Sequence, residues 1–241
     1  MAKVSGYSRP ASLEEALVLL ECPGSVLIGG GTKVNARPTG EPVAVVDLQA
    51  LGLDTVDRID GGGLRIGATV TLQQLVDSGE VPAVVREAAR REQPSTLRAQ
   101  ATVGGTIVTA DPESELLATL LVHDAVVIVA GEAGPEELTL EALLGLPLPA
   151  GRILSAVTID PTGSSVVARA GRTRADRAIV AAAARIGGDG EQRVALSGVA
   201  PTPILVEGTD ELDPPGDFRG SGEFRRALAE VLVARALEAL S

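Results

Sequence analysis

The sequence has very few residues that ligate metals or form covalent cross-links. Cys22 is the single cysteine and His123 the single histidine among 241 residues. These counts exclude an internal disulfide, and also a cysteine-rich zinc or iron–sulfur site held by this chain alone. His123 lies in an apolar helical pattern, ELLATLLVHDA, which favours a capping or packing role over a catalytic one. If the chain takes part in chemistry, we expect a bound cofactor to supply the reactive group.

Lysines and long apolar runs are also scarce. The formal net charge is −11, and Lys3 and Lys33 are the only lysines. This balance argues against nucleic acid as a partner, because phosphate binding depends on clustered lysine and arginine. No apolar run reaches the roughly 18–20 residues that cross a bilayer, and the N-terminal segment lacks the apolar core of a signal peptide. We therefore expect a cytoplasmic protein that does not span a membrane.

The remaining composition is that of a globular protein, with 45% hydrophobic residues. Capping boxes at Ser12 and Thr71 mark the starts of two helices. Residues 101–108 are expected to be extended, and 175–187 most simply form a helix, with a strand as the alternative. Besides 175–187, the predicted helices occupy residues 12–21, 71–77, 82–91, 114–124, 139–146 and 222–240. The other predicted strands occupy residues 25–28, 43–48, 63–70, 125–131, 152–160, 164–171 and 192–199.

Two short glycine runs are the most informative feature that is present. Gly29 to Gly31 follow the apolar stretch VLI, and Gly104 and Gly105 follow ATV. Runs of this kind expose successive N–H groups and allow an anion to come close to the backbone. Neither run is a dinucleotide-binding G-x-G-x-x-G fingerprint, because that pattern fails at Val34, and no Gly-Lys pair exists for a P-loop. Taken separately, each run is equally consistent with a plain turn.

The sequence around the glycines resembles a known protein family. The segments LIGGGTKV and ATVGGTIVTADPESELLATLLVHDA are similar to motifs of the FAD-binding medium subunit of the molybdenum hydroxylases. That family includes the carbon monoxide dehydrogenase flavoprotein and the FAD domain of xanthine dehydrogenase. The segments YSRPASLEEALVLL, GGLRIGATVTLQQL, VALSGVAPTPIL and FRGSGEFRRALAEVLVARAL follow the family pattern in the same order. The resemblance therefore covers nearly the whole chain.

The resemblance implies an α+β fold of two domains. Residues 1–148 would form a vanillyl-alcohol-oxidase-like (PCMH-type) FAD-binding domain of two lobes. Residues 149–241 would form a small α+β C-terminal domain of the carbon monoxide dehydrogenase flavoprotein type, after the boundary-like segment PLPAG. The two glycine loops, residues 29–33 and 102–106, would converge on the FAD pyrophosphate, and both would supply N–H donors.

The resemblance also assigns cofactor-binding residues, and it assigns neither a catalytic residue nor a metal ligand. They are the residues of the two loops and four further positions: Gly29, Gly30, Gly31, Thr32, Lys33, Thr102, Val103, Gly104, Gly105, Thr106, Asp111, Glu115, Leu154 and Arg169.

Several of these positions depart from the family pattern and have a second interpretation. Lys33 stands where the family usually has Asp, Asn or Ser, and a solvated surface lysine is the alternative. Glu115 replaces the usual Asp that meets a ribose hydroxyl. Arg169 takes the place of a lysine near the flavin ring, and Leu154 would cover the ring in the absence of a matching aromatic residue. The structural alternatives are an ordinary strand-end charge for Arg169 and an ordinary core leucine for Leu154. For Asp111, which keeps the family motif, the alternative is a turn cap before a helix.

The implied function is electron transfer through noncovalently bound FAD. A large subunit with a molybdenum cofactor would oxidise the substrate, and a small subunit with iron–sulfur clusters would pass the electrons to FAD on this chain. The molybdenum cofactor and the clusters would belong to those partner subunits only. The chain is short for the family, so a scaffold subunit without FAD and a standalone flavin oxidoreductase remain alternatives.

Overall fold

The N-terminal part of the fold is a small parallel sheet with one helix. The computed structural model describes residues 3–34, 42–146, 148–173 and 176–241. Strands β1 (Val4–Ser8), β2 (Ser25–Ile28) and β3 (Val43–Asp47) pair in the order β1-β3-β2, and all are parallel. Helix α1 (Leu13–Leu20) begins at Ser12, whose hydroxyl accepts the N–H of Glu15 at 3.2 Å, as the capping box predicts.

A five-stranded antiparallel sheet forms the centre of the molecule. Its order is β4-β5-β8-β6-β7, so β8 lies between β5 and β6. The predicted boundary at 148/149 falls just before β8, and the next strand along the chain joins a different sheet. The division into two domains stays a prediction. The strands are β4 (Val56–Arg58), β5 (Leu64–Gly67), β6 (Val126–Gly131), β7 (Gly134–Thr139) and β8 (Ile153–Ile159).

Six helices lie between β5 and β8 along the chain, and one of them is completely buried. They are α2 (Leu72–Asp77), α3 (Ala83–Glu92), α4 (Ser95–Arg98), α5 (Val103–Thr109), α6 (Glu115–Val122) and α7 (Leu140–Gly145). All eight residues of α6 are buried, because α3 covers one side of it and the C-terminal sheet covers the other. His123 ends α6 as its C-cap and is itself buried, which agrees with the structural role predicted for it.

The C-terminal part is a four-stranded antiparallel sheet covered by a long helix. The strand order is β12-β11-β10-β9, and α8 packs against β9 and β10. None of the helices in the described ranges is long and apolar enough to cross a membrane. The elements are β9 (Ser164–Ala170), β10 (Val180–Ile186), β11 (Gln192–Ser197), β12 (Ile204–Leu205) and α8 (Gly222–Leu240).

The expectation that residues 101–108 are extended is wrong, because most of them form α5. Thr102 is the N-cap of this helix, and its hydroxyl accepts the N–H of Gly105 at 3.1 Å. Glycine and β-branched residues have low helix propensity, which is why the sequence TVGGTIVT suggests a strand. The N-cap and the burial of Val103 and Ile107 in the main core outweigh that local preference.

The expectation of a helix at 175–187 is also wrong, and the strand alternative is correct for residues 180–186. Ala182 and Ala184 face the core under α8, whereas Ala183 faces the core around α6. Both faces of β10 are therefore covered, and β9 and β11 pair with its two edges. Alanine favours helix when it is isolated, but here small side chains allow two layers to pack closely on one strand.

The strands β1, β4, β7 and β12 are not predicted by the sequence patterns. The edge strand β4 has three residues and β12 has two, which is too short for periodicity to be visible. Strand β5 ends at Gly67 and not at residue 70, because the carbonyl of Leu53 lies against Gly67 and accepts the N–H of Thr69. The mixed α+β class itself is confirmed.

Candidate functional site

The two glycine loops line one cleft of about 430 Å³. The first loop, residues 29–33, follows the C-terminal end of β2. The second loop, residues 102–106, contains the N-cap and first turn of α5. Eleven of the predicted cofactor-binding residues line the cleft: Gly29, Gly30, Gly31, Thr32, Lys33, Thr102, Gly104, Gly105, Thr106, Asp111 and Leu154.

Glycine is required in the first loop because Gly30 lies directly against the backbone of Gln100, just before the second loop. A Cβ atom at Gly30 would lie under 3.0 Å from the carbonyl oxygen of Gln100, and one at Gly29 would lie 2.7 Å from the Thr102 hydroxyl. At Gly104, a Cβ would come within 2.8 Å of Ala68. The sequence suggested that these glycines make room for a ligand. In the structure, Gly29 and Gly30 allow the first loop to lie against Thr102 and Gln100, so that the two loops are in contact. Gly104 allows the second loop to lie against Ala68.

Free backbone donors are found on the first loop. The N–H groups of Gly30, Gly31 and Thr32 have no hydrogen-bond acceptor among the described residues. Gly31 has a φ of 71°, a conformation that glycine adopts without strain. Three consecutive unpaired N–H groups at the wall of a cleft are donors for an anion, in the manner of a backbone nest.

The second loop supplies fewer free N–H donors than expected, because within it only the Thr102 N–H lacks a hydrogen-bond acceptor among the described residues. All four N–H groups of its helical turn already have acceptors within the protein. The hydroxyl of Thr102 accepts the N–H of Gly105, and its own proton stays available to donate into the cleft. The other three N–H bonds join Val103 to Val70 at 2.9 Å, Gly104 to Ala68 at 2.9 Å and Thr106 to the Thr102 carbonyl at 2.9 Å.

The apolar part of the cleft is aliphatic. Leu154 on β8 is buried in the main core, as its structural alternative expects, and it also faces the cleft, whereas its contact with a flavin ring stays a prediction. Leu48 and Val108 add to this wall, and Val108 is exposed. The three aromatic residues of the chain lie outside the lining. A ring bound here would therefore meet aliphatic side chains.

Three predicted residues do not reach the cleft. Val103 is fully buried in the core. Glu115 is 4% exposed, and one of its oxygens accepts from Arg169 Nε at 2.7 Å. Its other oxygen lies 3.6 Å from Arg91, and Glu115 lines a separate cavity of about 330 Å³ between α3 and β9. The cofactor contacts predicted for these residues stay predictions that the cleft does not support.

The cleft also contains residues that the sequence patterns did not indicate. Glu92 at the end of α3, Thr69 and Arg152 all line it. The loop at 148–151, which the sequence suggested was a domain boundary, lines it too. The proline and glycine of that loop were a usable signal, because a turn directly before a central strand lies at the same edge of the sheet as the ends of the neighbouring strands.

The acidic wall of the cleft consists of Glu92 and Asp111. Glu92 accepts a hydrogen bond from the Ser114 hydroxyl at 2.9 Å, and Asp111 accepts from the N–H of Glu113 at 3.1 Å, the predicted turn cap. Burial alone would raise the pKa of Asp111. The hydrogen bond and charge of Arg177, together with other groups, hold it below its ordinary value.

Glu92 carries a pH dependence of stability that can be measured. Burial raises the pKa of Glu92 from 4.5 to about 6, against the opposing effects of Arg177 and Ser114. The folded state thus binds this proton more tightly than the unfolded state does. The resulting destabilisation is absent below about pH 4.5, grows as pH rises, and is complete above about pH 6, where it amounts to about 2 kcal/mol.

We therefore expect the free energy of unfolding of Glu92→Gln, relative to that of the wild type, to increase by about 2 kcal/mol as the pH is raised from 4.5 to 6.5. Urea unfolding at several pH values measures this difference. Glu80→Gln is the control, because Glu80 is exposed and pairs only with exposed Arg58. Parallel pH curves for the wild type and Glu92→Gln would contradict the prediction.

Comparison with known protein families identifies the family of this chain. A sequence profile of the family described as FAD binding domain in molybdopterin dehydrogenase matches residues 2–161. The chain therefore belongs to this family, as its motifs predicted. Among the described residues, no group of three or more His, Cys, Asp and Glu side chains is placed to hold a metal ion.

Two curated relatives and a solved structure extend the match over the whole chain. Uncharacterized protein YgfM of Escherichia coli (strain K12) is 33% identical over 250 residues, which cover 96% of this chain and 94% of that protein. Aldehyde oxidoreductase FAD-binding subunit PaoB of the same organism is 29% identical over 259 residues, which cover 82% and 81%. A crystal structure of cyanide-inactivated Cu,Mo-CO dehydrogenase matches with a TM-score of 0.89 and 24% identity, covering 100% of this chain and 98% of that one.

Proposed function

We propose that this chain binds one FAD noncovalently in the cleft between the two glycine loops. Its role is then electron transfer as the FAD-binding subunit of a molybdenum hydroxylase. The observation that carries the proposal is the contact between the two loops, which places three unpaired N–H groups at the wall of the cleft. Membership of an FAD-binding family supports a cofactor pyrophosphate as the anion that these donors would meet.

Several residues of the cleft support FAD as its ligand. The N–H groups of Gly30, Gly31 and Thr32 would bind phosphate oxygens, and Lys33 adds a positive charge at the same loop. Gly105 is exposed to the cleft, and no backbone lies close to its missing side chain, so a ligand has room there. Leu154 and its aliphatic neighbours would pack against an aromatic ring.

Within an assembly, the task of this chain is to hold and orient the cofactor. Bound flavin supplies redox chemistry that accepts electrons and releases them to an acceptor. The electrons would come from iron–sulfur clusters on a small partner subunit, after substrate oxidation at the molybdenum cofactor of a large subunit. The relative PaoB, named as an FAD-binding subunit of aldehyde oxidoreductase, supports this division of labour.

We expect the flavin to be noncovalent because no suitable attachment residue lies at the cleft. Cys22 is exposed outside the lining. His123 is buried, with Nδ1 2.7 Å from the Asp160 carbonyl and Nε2 3.2 Å from the Ser165 hydroxyl. Heat or acid precipitation of the purified yellow protein should release all flavin into the supernatant as FAD. Flavin retained in the protein pellet would contradict a noncovalent site.

Partner subunits are tested by coexpression. Purification of the chain with adjacent large and small hydroxylase subunits should yield a complex with a higher melting temperature than the chain alone, because partners that bind only the folded state stabilise it. Addition of the hydroxylase substrate should then bleach the flavin. A complex that releases no flavin on acid precipitation would indicate a scaffold subunit, whereas a flavin chain that reacts fully without partners would indicate a standalone oxidoreductase.

A further inference from the structure

The cleft proposed for an anionic cofactor has two carboxylates in its lining. Glu92 is 6% exposed and Asp111 is half-buried. Glu92 is also the last residue of α3, where the unpaired carbonyls of a helix end add negative potential. Without compensation, this wall would repel a pyrophosphate group.

A single cation faces both carboxylates. Arg177 Nη1 lies 3.0 Å from Asp111 Oδ2, and Arg177 Nη2 lies 3.8 Å from Glu92 Oε1. Among the described residues, no other side chain forms an ion pair with either acid. Lys33 acts on Asp111 only through its longer-range charge. Arg177 itself does not line the cleft, so it meets the acids from behind the wall.

Arg177 comes from the C-terminal part of the chain. It lies just before β10, and Arg219 Nη2 holds its carbonyl oxygen at 2.7 Å. Arg219 in turn pairs with Glu113 in the same acidic turn as Asp111. The position of Arg177 behind the cleft therefore depends on the packing of the C-terminal sheet against that turn.

We propose that Arg177 is a positioning residue of the cofactor site, which neutralises Glu92 and Asp111 so that the cleft accepts the cofactor phosphates. In consequence, FAD affinity depends on the packing of the C-terminal sheet, although none of the described residues of that sheet lines the cleft. The inference rests on the proposed FAD binding. It concerns how the negative wall is compensated, and it can fail while FAD binding holds.

The test measures the FAD dissociation constant of the full chain, freed of flavin, by flavin fluorescence quenching. At low ionic strength, Arg177→Gln should weaken binding on the order of tenfold, because one uncompensated charge acts on the phosphates at several ångströms. The difference should shrink at high salt, which screens the interaction. Arg177→Lys keeps the charge and should stay within about threefold of the wild type.

A second substitution separates charge compensation from a structural role. Adding Glu92→Gln to Arg177→Gln should restore part of the lost affinity, and Glu92→Gln alone should tighten binding, because each removes a negative charge from the wall. Arg193→Gln is the matched control: Arg193 also spans two carboxylates, Asp124 at 2.6 Å and Asp189 at 3.1 Å, and neither lines the cleft. It should leave the FAD dissociation constant unchanged.

Distinct outcomes overturn the inference and the function on which it rests. A wild-type chain that binds no FAD removes both. A wild-type chain that binds FAD while Arg177→Gln binds equally well, or loses affinity independently of salt and without rescue, removes only the charge-compensation role. If Arg177→Gln does not fold, Glu92→Gln alone decides, since unchanged or weaker binding contradicts a repulsive wall.

Discussion

Replacing Gly30 by alanine is expected to weaken FAD binding by roughly 100-fold or more, equivalent to about 2.7 kcal/mol. The added Cβ would overlap with the carbonyl group of Gln100, and backbone cannot move aside as a flexible side chain can. The first loop must therefore shift away from the second, and its three unpaired N–H groups move with it. Fluorescence titration with FAD measures the loss.

Gly79→Ala is the matched control for this prediction. No atom lies within 4 Å of a Cβ placed at Gly79, and this residue lies between α2 and α3, outside the cleft lining. It should bind FAD like the wild type. Gly104→Ala should differ in stability from both Gly30→Ala and Gly79→Ala, because overpacking against Ala68 lowers its free energy of unfolding by about 1–3 kcal/mol. Full flavin occupancy in Gly30→Ala would contradict the role of loop contact.

Replacing Arg185 by methionine is expected to lower the free energy of unfolding by about 3 kcal/mol, toward the lower end of the range for broken buried ion pairs. Arg185 is fully buried on β10 and donates to the carbonyls of Val122 at 3.0 Å and Thr162 at 3.1 Å. It also pairs with Asp124 at 2.8 Å and with Asp160. Without it, the buried Val122 carbonyl and the Thr162 carbonyl lose their donor, whereas the half-exposed carboxylates regain water.

Urea denaturation measures this change, and Arg58→Met is the control. Arg58 pairs with Glu80 on the surface, where such a pair contributes less than about 1 kcal/mol. FAD binding by the folded Arg185→Met variant should be unaffected, because none of these residues lines the cleft. Equal losses of stability in the two variants would show that the buried arginine is not a structural centre.

The fold was predictable where local signals and packing agree. Ser12 and Thr71 start helices as their capping boxes indicate. The alanine strand β10 and the glycine-containing helix α5 were not predictable, because in both cases tertiary packing overrides a local preference of the opposite kind. An alanine run becomes a strand when layers close over both faces, and periodicity within one segment contains no information about that.

The site was predictable where a motif lies on the cleft wall itself. The first loop and most of the second loop line the cleft as the resemblance implied. The group of Glu92, Asp111 and Arg177 was not predictable, because its members are far apart in the sequence and meet only when the C-terminal sheet packs against α6. Glu115 lies in the motif, but α6 directs it toward Arg169 and away from the cleft.

A crystal structure of this chain, determined from crystals grown in the presence of FAD, tests most directly the central claim that FAD binds in the cleft. We predict one FAD between the two glycine loops, with pyrophosphate oxygens within hydrogen-bond distance of the N–H groups of Gly30, Gly31 and Thr32. We also predict contact between Leu154 and the bound cofactor. A structure with FAD bound elsewhere, or a cleft that stays without FAD at saturating concentration, would contradict the account.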